Sequence, residues 1–302
     1  MYDVAVIIVN YNTSEYTLKC LDALEQHTTH SVNFQVIVVD NASQNTEYQL
    51  LAREFPKKKN YTLHRSDLNT GFGGGNMLGV PYAKASYLLF LNNDAFLLND
   101  ALSILKNYMD QHPTVGVSTA QNFDDDHQFV PSFDHNKGFR RLLLGRGFLE
   151  STNPKKYPRR KEEYVHPINV DWVNGAFMFF RRDAFEKVGG FDTNIFLYFE
   201  EMDICQRLKN AGFTTVLVPA AKILHVQGVS IGKSKEINKE AYLSYLHVIK
   251  KNYGYLKYIF IKLYLALVFL LKPKKWYLLI TVLWTDFSRS MKYKQTITTY
   301  EG

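Results

Sequence analysis

The first third of the chain alternates short apolar runs with segments of helical spacing. Apolar runs at residues 4–9 and 34–39, and a shorter one at 61–65, predict buried β-strands. Between them we expect helices at about 14–27 and 45–55, the first with leucines at helical spacing. Strand, helix and strand in this order are typical of a parallel sheet with crossover helices. The pattern therefore predicts an α/β fold whose polar strand ends share one edge.

A fourth apolar run, at residues 87–91, ends abruptly in Asn92, Asn93 and Asp94. A carboxylate at the carboxyl end of a buried strand lies where open α/β sheets bind ligands. One carboxylate is too few ligands to hold a divalent cation, but diphosphate oxygens complete the coordination of Mg²⁺ or Mn²⁺. Asp94 is therefore either a turn residue before the next helix or one ligand of a metal–diphosphate site.

The stretch 67–76 is the richest in glycine, with four glycines at positions 71–75. Glycine lets the backbone approach a ligand closely. We expect a helix behind this loop, at about 76–86, to direct its amino end at phosphate, with a kink at Pro81. Neither dinucleotide-binding nor P-loop spacing is present, so the loop alone is also consistent with an ordinary turn.

The middle of the chain, residues 121–166, is irregular and highly charged. Segments of this length in compact domains are usually functional or mobile, and a solvated basic loop is an equally good interpretation. Strands are predicted at 170–173 and 177–180, around Asn174 and Gly175, and a short helix at 183–188.

Three acidic residues, Glu200, Glu201 and Asp203, follow an aromatic run and open a helix predicted at 203–211. The helix dipole favours acids at this end of a helix. Partial burial among aromatic rings would also raise the pKa of one of them towards that of a general base. After a predicted strand at 214–218, His225 lies in an apolar stretch, where a single histidine is more often a core residue than a ligand.

The C-terminal part, from residue 241, is predicted to be helical and is both apolar and basic. The apolar segment 255–271 would form a helix about 25 Å long, short of the roughly 30 Å of a hydrocarbon core, and two lysines interrupt it. More lysines precede a second apolar run at 276–284. Such segments are typical of helices that lie in an anionic membrane interface. Packing on the rest of the chain or on a second subunit is the alternative.

Composition and charge narrow the classes of function. The 302 residues allow one large domain or two modest ones, and a hydrophobic content of 46% excludes disorder. The net charge of +7 favours an acidic partner, but many basic residues lie beside the apolar C-terminal segments, so nucleic acid is the weakest candidate. Two cysteines and no visible secretory signal suit a cytoplasmic protein.

Seven motifs in order resemble those of the inverting glycosyltransferases of family two, which have the GT-A fold. They are VNYN (9–12), VVDNAS (38–43), NTGFGGGN (69–76), FLNND (90–94), NGAFMFFRRDAFEKVGGFD (174–192), YFEEMDICQRLKNAG (198–212) and the late His225. Each is weak alone, but together they are strong and extend over about residues 2–230. They look most like rhamnosyl- and galactofuranosyltransferases of bacterial surface polysaccharide synthesis. The resemblance implies a GT-A catalytic domain at 1–235, with a Rossmann-like, mostly parallel sheet flanked by helices, and a helical region at 236–302.

The resemblance also implies which residues bind the donor. Asp40 would hydrogen-bond a pyrimidine base, Tyr11 would line the nucleotide pocket, and Asn69 with the glycine loop would border the ribose and diphosphate. The full set expected at the nucleotide sugar is Asn10, Tyr11, Asn12, Asp40, Asn41, Asn69, Gly71, Asn76, Asn93 and Gly175. Asp94 matches the last acid of the family's metal motif and His225 its distant metal-binding histidine. Two departures, Asn45 and Asn92 in place of acids, make this site less negative.

The chemistry implied is a single displacement that inverts the anomeric carbon. Glu201 matches the catalytic base, with Glu200 beside it and Asp203 in a supporting position. Asp94 and His225 would hold Mn²⁺ or Mg²⁺ against the UDP or dTDP leaving group. The acceptor would be a glycan or a polyprenyl-linked sugar, which suits a peripheral enzyme on the inner face of the cytoplasmic membrane. The alternative role of the C-terminal region is to form the interface of a homodimer.

Three other classes compete with this interpretation. A nucleotidyltransferase needs a basic loop for a triphosphate near the first strand, and residues 9–17 contain no lysine or arginine. A glycosidase needs two carboxylates facing each other across a sugar bond, which the adjacent Glu200 and Glu201 do not readily provide. A catalytically silent subunit would use only the fold and the basic C-terminal region. The presence of Asp94, Glu201 and His225 together argues against this last class.

Overall fold

The structure is a computed structural model that describes residues 1–29, 31–226 and 234–297. Its strands are β1 Tyr2–Asn10, β2 Phe34–Asn41, β3 Tyr61–Ser66, β4 Ala85–Asn92, β5 Ala95–Leu97, β6 Val115–Phe123, β7 Phe129–Val130, β8 Phe133–Asp134, β9 Ile168–Asn169, β10 Trp172–Val173, β11 Phe177–Arg181 and β12 Thr214–His225. Its α-helices are α1 Ser14–His27, α2 Asn45–Glu54, α3 Gly71–Gly79, α4 Ala101–Gln111, α5 Phe139–Leu144, α6 Arg146–Thr152, α7 Arg182–Lys187, α8 Glu200–Asn210, α9 Lys235–Tyr253, α10 Tyr255–Leu270 and α11 Trp276–Leu283. Short 3₁₀ turns occupy Val80–Tyr82, Pro273–Lys275, Phe287–Arg289 and Met291–Lys294.

One large sheet forms the centre of the fold. Strands β3, β2, β1 and β4 are parallel, as the strand–helix alternation predicts. β11 then lies between β4 and β6 and is antiparallel to both, while β12 is parallel to β6 and antiparallel to β5. The sheet is therefore mixed beyond β4. The apolar run that becomes β11 does not encode a direction, so its reversal was not predictable from the pattern.

Helices cover both faces of the sheet, and a third apolar cluster joins the C-terminal region to it. Alternate side chains of β1 pack on opposite faces, one with α1 and α4 and the other with α7 and α8. In the third cluster, Ile195 and Met202 pack with buried residues of α9, α10 and α11. The C-terminal helices therefore bury part of their surface next to α8.

The glycine-rich stretch is itself a helix, so the helix predicted at 76–86 is wrong. α3 occupies Gly71–Gly79, and Pro81 lies in the 3₁₀ turn that follows it. α3 packs tightly on the sheet. A Cβ on Gly75 would lie 3.0 Å from a methyl group of Val9, and one on Gly79 would lie 2.7 Å from a methyl group of Ile7. The glycines are thus required for this close helix–sheet contact, although their low helix propensity argues against a helix.

Three other predicted boundaries differ from the structure. The segment 121–166 is largely ordered and contains the end of β6 together with β7, β8, α5 and α6. α8 begins at Glu200 rather than at Asp203, so all three acids lie within its first turn. β12 continues to His225, because its second half pairs with β5. These pairings join residues far apart in sequence and leave no local signal.

The C-terminal helices agree with the predicted ones, although α9 begins earlier, at Lys235. The end of the apolar stretch 222–228 and the last residues, 298–302, lie outside the described residues. None of the helices within the described ranges is long and apolar enough to cross a membrane.

Candidate active site

The first two strands end in a buried hydrogen-bond cluster. Asn10 and Asp40 are fully buried, and the Asn10 Nδ2 donates to Asp40 Oδ2 at 2.8 Å and to the Ser43 hydroxyl at 3.2 Å. Asp40 Oδ1 accepts from the Ser43 backbone N–H at 3.2 Å, and Arg65 Nε lies 3.7 Å from the same oxygen. Both side chains are thus engaged by protein groups that hold the tips of β1 and β2 together. Their expected contact with a nucleotide stays a prediction.

Asn41 holds the entrance of the glycine helix. Its Oδ1 accepts from the backbone N–H and the hydroxyl of Thr70, each at 3.0 Å. Its Nδ2 donates to Asn69 Oδ1 at 3.0 Å and to the Gly71 carbonyl at 3.1 Å. Asn69 Oδ1 also accepts from the Gly71 N–H at 2.9 Å. This network positions the first backbone groups of α3 at the same edge of the sheet as Asp40.

Of the other residues predicted to bind the nucleotide, some have side chains accessible to solvent and others are buried and hydrogen-bonded within the protein. Tyr11 is exposed, and Asn12, in a left-handed conformation at φ +54°, is partly buried. Asn76 and Asn93 are buried. The Asn76 amide donates to a carbonyl of its own helix, and the Asn93 amide donates to Thr13 and Thr17. Asn93 therefore joins the end of β4 to the start of α1.

Asp94 follows the end of β4 by two residues and lies beside His225. The antiparallel pairing of β5 with β12 brings His225 opposite Ala95, and the Asp94 carbonyl accepts from the Val226 N–H at 3.1 Å. His225 Nε2 lies 3.4 Å from Asp94 Oδ1, and both residues are buried. Within the described residues no group of three metal-binding side chains converges. This pair supplies at most two ligands of a cation.

Glu201, the second residue of α8, holds its carboxylate against the chain just before β11. Its Oε1 accepts from the Gly175 N–H at 3.1 Å. The carbonyl of the next residue, Ala176, accepts from the Asn92 N–H at 3.0 Å, at the end of the strand that leads to Asp94. The predicted base and the predicted metal ligand therefore lie at neighbouring strand ends.

The pKa values of both adjacent glutamates are raised, but the groups that act on them differ. Burial raises the pKa of Glu200 well above its ordinary value, and the charge of Glu201 raises it further. Burial also raises the pKa of Glu201, but N–H groups, including that of Gly175, and the charge of Lys137 oppose this rise. Glu200 is buried, and its Oε1 has no hydrogen-bond partner within the described part of the chain. The groups that oppose the rise act on Glu201, which favours Glu201 as the more readily ionised of the two.

The backbone leading into α8 is strained, and Lys137 contacts it. Tyr198 and Phe199 both have φ +70°, which costs L-residues roughly 1–2 kcal/mol each. Lys137 Nζ lies over the Phe199 ring, 4.4 Å from its centroid, and the Tyr245 hydroxyl donates to the Lys137 carbonyl. Burial lowers the pKa of this lysine. Sequence reasoning missed Lys137 because no local pattern marks it within the irregular segment 121–166.

Asp203 faces a different set of partners. It is fully buried, and its carboxylate accepts from Arg207 at 2.6 and 2.9 Å, from Lys251 at 3.1 Å and from Asn252 at 2.7 Å. Lys251 and Asn252 belong to α9. Asp203 thus links α8 to the C-terminal helices, which supports a structural contribution to the site rather than proton transfer.

Replacing Gly175 by alanine is expected to lower turnover while preserving the fold. The added Cβ would lie 2.5 Å from Glu201 Oε1, so the carboxylate must move. The φ of Gly175 lies outside the positive range, so alanine adds no backbone strain there. A displacement of about 1 Å at a reacting group costs roughly 10²-fold in rate. Steady-state transfer rates and thermal unfolding of the variant test this.

The matched control is Gly147→Ala, where nothing lies within 4 Å of the added Cβ. We expect wild-type turnover for this control. If Gly175→Ala turns over as fast as the control, the position of the Glu201 carboxylate does not limit the reaction.

The motif order and the mixed sheet agree with a sequence-family match. The model of the family Glycosyl transferase family 2 matches residues 5–189, which contain the clusters at Asp40, Asn41 and Asp94. The chain belongs to this family. The family-2 glycosyltransferase expected from the motifs is thereby confirmed.

Two relatives of known name agree with the family match. The chain is 30% identical over 233 residues to the rhamnosyltransferase WbbL of Escherichia coli K12, covering 74% of this chain and 83% of that protein. It is 27% identical over 248 residues to the N-acetylglucosaminyl-diphospho-decaprenol L-rhamnosyltransferase of Mycobacterium tuberculosis, covering 76% and 77% of the two chains. This family-2 glycosyltransferase therefore resembles rhamnosyltransferases in particular.

A solved structure supports the fold. GalNAc-T7, crystallised with UDP, GalNAc and Mn²⁺, superimposes with a TM-score of 0.60 at 15% identity, over 83% of this chain and 48% of that one. At this identity the likeness establishes the fold alone. The predicted GT-A fold is confirmed, with a mixed sheet and a helical C-terminal region.

Proposed function

We propose that the protein is an inverting glycosyltransferase of bacterial surface polysaccharide synthesis. It transfers a sugar, for which a deoxyhexose such as rhamnose is the first candidate, from a UDP or dTDP donor to a hydroxyl of a lipid-linked or glycan acceptor. The names of the two relatives support this choice, since both are rhamnosyltransferases and one has a diphospho-decaprenol acceptor. Residues 1–235 would catalyse the reaction, and residues 236–302 would determine where in the cell the enzyme is located.

One observation carries the proposal: an ionisable base and a metal-type ligand pair lie at neighbouring strand ends. Glu201 is anchored on Gly175, whose neighbour Ala176 bonds to the strand end that carries Asp94. Asp94 in turn lies 3.4 Å from His225. A transfer from a nucleoside diphosphate needs a base on the acceptor side and positive charge on the leaving-group side. Glu201 would supply the base, and Asp94 with His225 would help to hold a cation that supplies the charge.

The residues of the chain then act as follows. Glu201 takes the proton from the acceptor hydroxyl as that oxygen attacks the anomeric carbon. The neutral Glu200 prevents a second charge from building up beside it. Gly73 of α3 lies next to Glu200: a Cβ added to this glycine would lie 3.4 Å from Glu200 Cγ, which is an ordinary van der Waals distance. At the start of α3, the Gly71 N–H donates to Asn69 Oδ1 and the Phe72 N–H donates to the Phe196 carbonyl, so both groups are satisfied within the protein and hold α3 in place beside the site.

Asp94 and His225 fit part of a divalent-cation site. Their 3.4 Å separation is less than twice the roughly 2.1 Å bond of Mg²⁺ to its ligands, so both can reach one ion. A carboxylate and an imidazole also suit Mn²⁺. His225 Nδ1 has no hydrogen-bond partner in the described ranges. When bound, the cation neutralises the negative charge that develops on the leaving diphosphate.

UDP or dTDP with Mn²⁺ is expected to raise the melting temperature more than the nucleotide alone. Ligand binding stabilises the native state by about 2.7 kcal/mol at a hundredfold excess over Kd. Asp94→Ala and His225→Ala should lose the metal-dependent part, because each removes one of the two protein ligands. A thermal-shift panel of nucleoside diphosphates and nucleotide sugars, with and without Mn²⁺, measures this.

His166→Ala, which removes an exposed histidine, is the control and should behave as wild type. Equal metal-dependent shifts in all variants would contradict the assignment of Asp94 and His225. No shift with any pyrimidine nucleotide would overturn the donor class and favour a catalytically silent subunit.

The C-terminal region suits an anionic membrane surface. The outward stripe of α10 is apolar and each of its residues is at least half exposed: Leu256, Phe260, Leu263, Leu267 and Leu270. The 3₁₀ turn after α10 carries exposed Lys274 and Lys275. A helix with these properties lies in the interface plane rather than across the bilayer. A lipid-linked acceptor gives this location a purpose, and a second subunit is the other candidate for the same face.

A further inference from the structure

The segment α5–α6 carries a second exposed apolar surface, which the membrane role of the C-terminal helices does not include. Leu143, Leu144 and Phe148 are 52%, 51% and 51% exposed, and Phe139 is 41% exposed. Four large apolar side chains within ten residues are more than scattered surface hydrophobics. This segment, residues 139–152, is named the arm below.

The arm is docked to the protein by its other side. Leu149 is buried, and Leu142 packs against the third apolar cluster. Arg141, at the base of α5, pairs with Asp134 at 2.9 Å and donates to the carbonyl of His135. The exposed apolar side chains therefore belong to an ordered, anchored element.

The apolar surface of the arm is continuous with α10. The Tyr264 hydroxyl donates to the Leu142 carbonyl at 3.1 Å, and the Phe139 ring lies edge-on to the Tyr264 ring at 6.3 Å. Phe260 and Leu267, one turn on either side of Tyr264, belong to the exposed stripe of α10. The two elements thus present one apolar surface.

The charge of this surface distinguishes a lipid from a second copy of the chain. The arm contains three arginines and one glutamate, and residues 255–285 contain five lysines and no aspartate or glutamate. Arg141 pairs with Asp134 and Arg146 lies 3.5 Å from Glu150, but the surface keeps a net positive charge, so two copies joined through it would bring like charges together. Anionic lipid headgroups supply the opposite charge, and the acyl region accepts the leucines and phenylalanines.

We propose that the arm is a second membrane-binding element, which lies with α10 in the interface of an anionic bilayer. The chain just before the arm lies next to the candidate active site. Lys137 lies two residues before α5 and contacts the ring of Phe199 at the start of α8. The arm thereby sets the Glu201 side of the site beside the lipid surface. This last point rests on the proposed function, since it gives a lipid-linked acceptor a short path to the base.

Direct contact is measured with a fluorophore on the arm. Both native cysteines are fully buried, and burial raises the pKa of each thiol, so a new exposed cysteine is labelled selectively. The full-length Leu144→Cys protein carries an environment-sensitive nitrobenzoxadiazole label. Vesicles of phosphatidylcholine mixed with phosphatidylglycerol should shift its emission to the blue, and phosphatidylcholine alone should shift it far less. Val165→Cys, at an 85% exposed valine outside the arm, is the control and should not shift.

Loss of binding is measured by vesicle sedimentation at low salt. Leu144→Glu and Phe148→Glu should each bind the anionic vesicles at least roughly fivefold more weakly than wild type, because a charge at an anionic surface changes affinity by about that factor. Val165→Glu should bind as wild type. Wild-type binding by both arm variants would overturn the proposal.

Two further outcomes are decisive. If light scattering shows a wild-type dimer that the arm variants dissociate while vesicle binding is unchanged, the surface is a subunit interface and the proposal fails. Nucleotide-induced thermal shifts of the same variants are expected to equal those of wild type. If nucleotides cause no thermal shift in the wild-type protein, the proposed glycosyl transfer is overturned while the vesicle result stands. The two failures are therefore distinguishable.

Discussion

Glutamine at position 201 is expected to reduce sugar transfer by about 10²- to 10⁴-fold and to leave donor affinity unchanged. The glutamine side chain keeps the size of glutamate, and its oxygen can still accept from the Gly175 N–H, which now lies 3.1 Å from Glu201 Oε1. Only the capacity to take a proton is lost. Single-turnover transfer rates and nucleotide-induced thermal shifts measure the two effects separately.

The pH dependence gives a second measure of the same residue. Burial raises the pKa of Glu201, and the base works only when it is ionised. The transfer rate of the wild type should therefore fall as the pH decreases through this raised pKa. The slow residual rate of Glu201→Gln should lack that decline, because the variant has no carboxyl group to protonate at this position.

Two neighbouring acids serve as matched controls. Burial and the charge of Glu201 raise the pKa of Glu200 and so favour its neutral form, which glutamine resembles, so we expect Glu200→Gln to retain most of the rate. Asp203→Asn weakens the contacts with Arg207 and Lys251, so it should lower the melting temperature without moving the pH profile. Unchanged turnover in Glu201→Gln would transfer the role of base to Glu200 or Asp203.

Alanine at Gly71 is expected to destabilise the protein by about 3 kcal/mol or more. Gly71 has φ +76°, and an added Cβ would lie 1.9 Å from the Phe196 carbonyl oxygen. That oxygen also accepts from the Phe72 N–H at 3.0 Å. Alanine must therefore strain its own backbone and separate α3 from the segment before α8. Urea unfolding gives the loss of free energy, and nucleotide-induced thermal shifts should decrease with it.

Gly189→Ala separates the two causes. Gly189 has φ +79°, but nothing lies within 4 Å of an added Cβ. This control should show only the backbone cost, about 1–2 kcal/mol. Equal losses in the two variants would mean that the contact between Gly71 and Phe196 does not contribute.

Much of the fold follows from local pattern. The apolar runs at 4–9, 34–39 and 87–91 predict β1, β2 and β4, because a strand buried on both faces needs continuous apolar side chains. Polar residues end each run, so the sequence also predicts that Asp40 and Asp94 lie at one edge of the sheet. The motif order predicts the family that the sequence-family match establishes.

Other features depend on partners far along the chain. The glycine-rich stretch 71–79 forms a helix that Asn41 holds at its start, and Gly75 and Gly79 let this helix pack directly against Val9 and Ile7. The two glutamates are alike in sequence, yet Glu201 meets the Gly175 N–H while Glu200 Oε1 meets no partner among the described residues.

The sequence by itself determined the alternation of strands and helices, the family and the position of Asp94 at a strand end. Only the tertiary structure decided that Asp94 lies 3.4 Å from His225, that Glu201 rather than Glu200 accepts from the Gly175 N–H, and that Lys137 lies at the start of α8. The physical reason is the distance along the chain between the residues that interact. Periodicity and strand ends arise from neighbouring residues, whereas burial, charge and hydrogen bonding at a site arise where distant segments pack together.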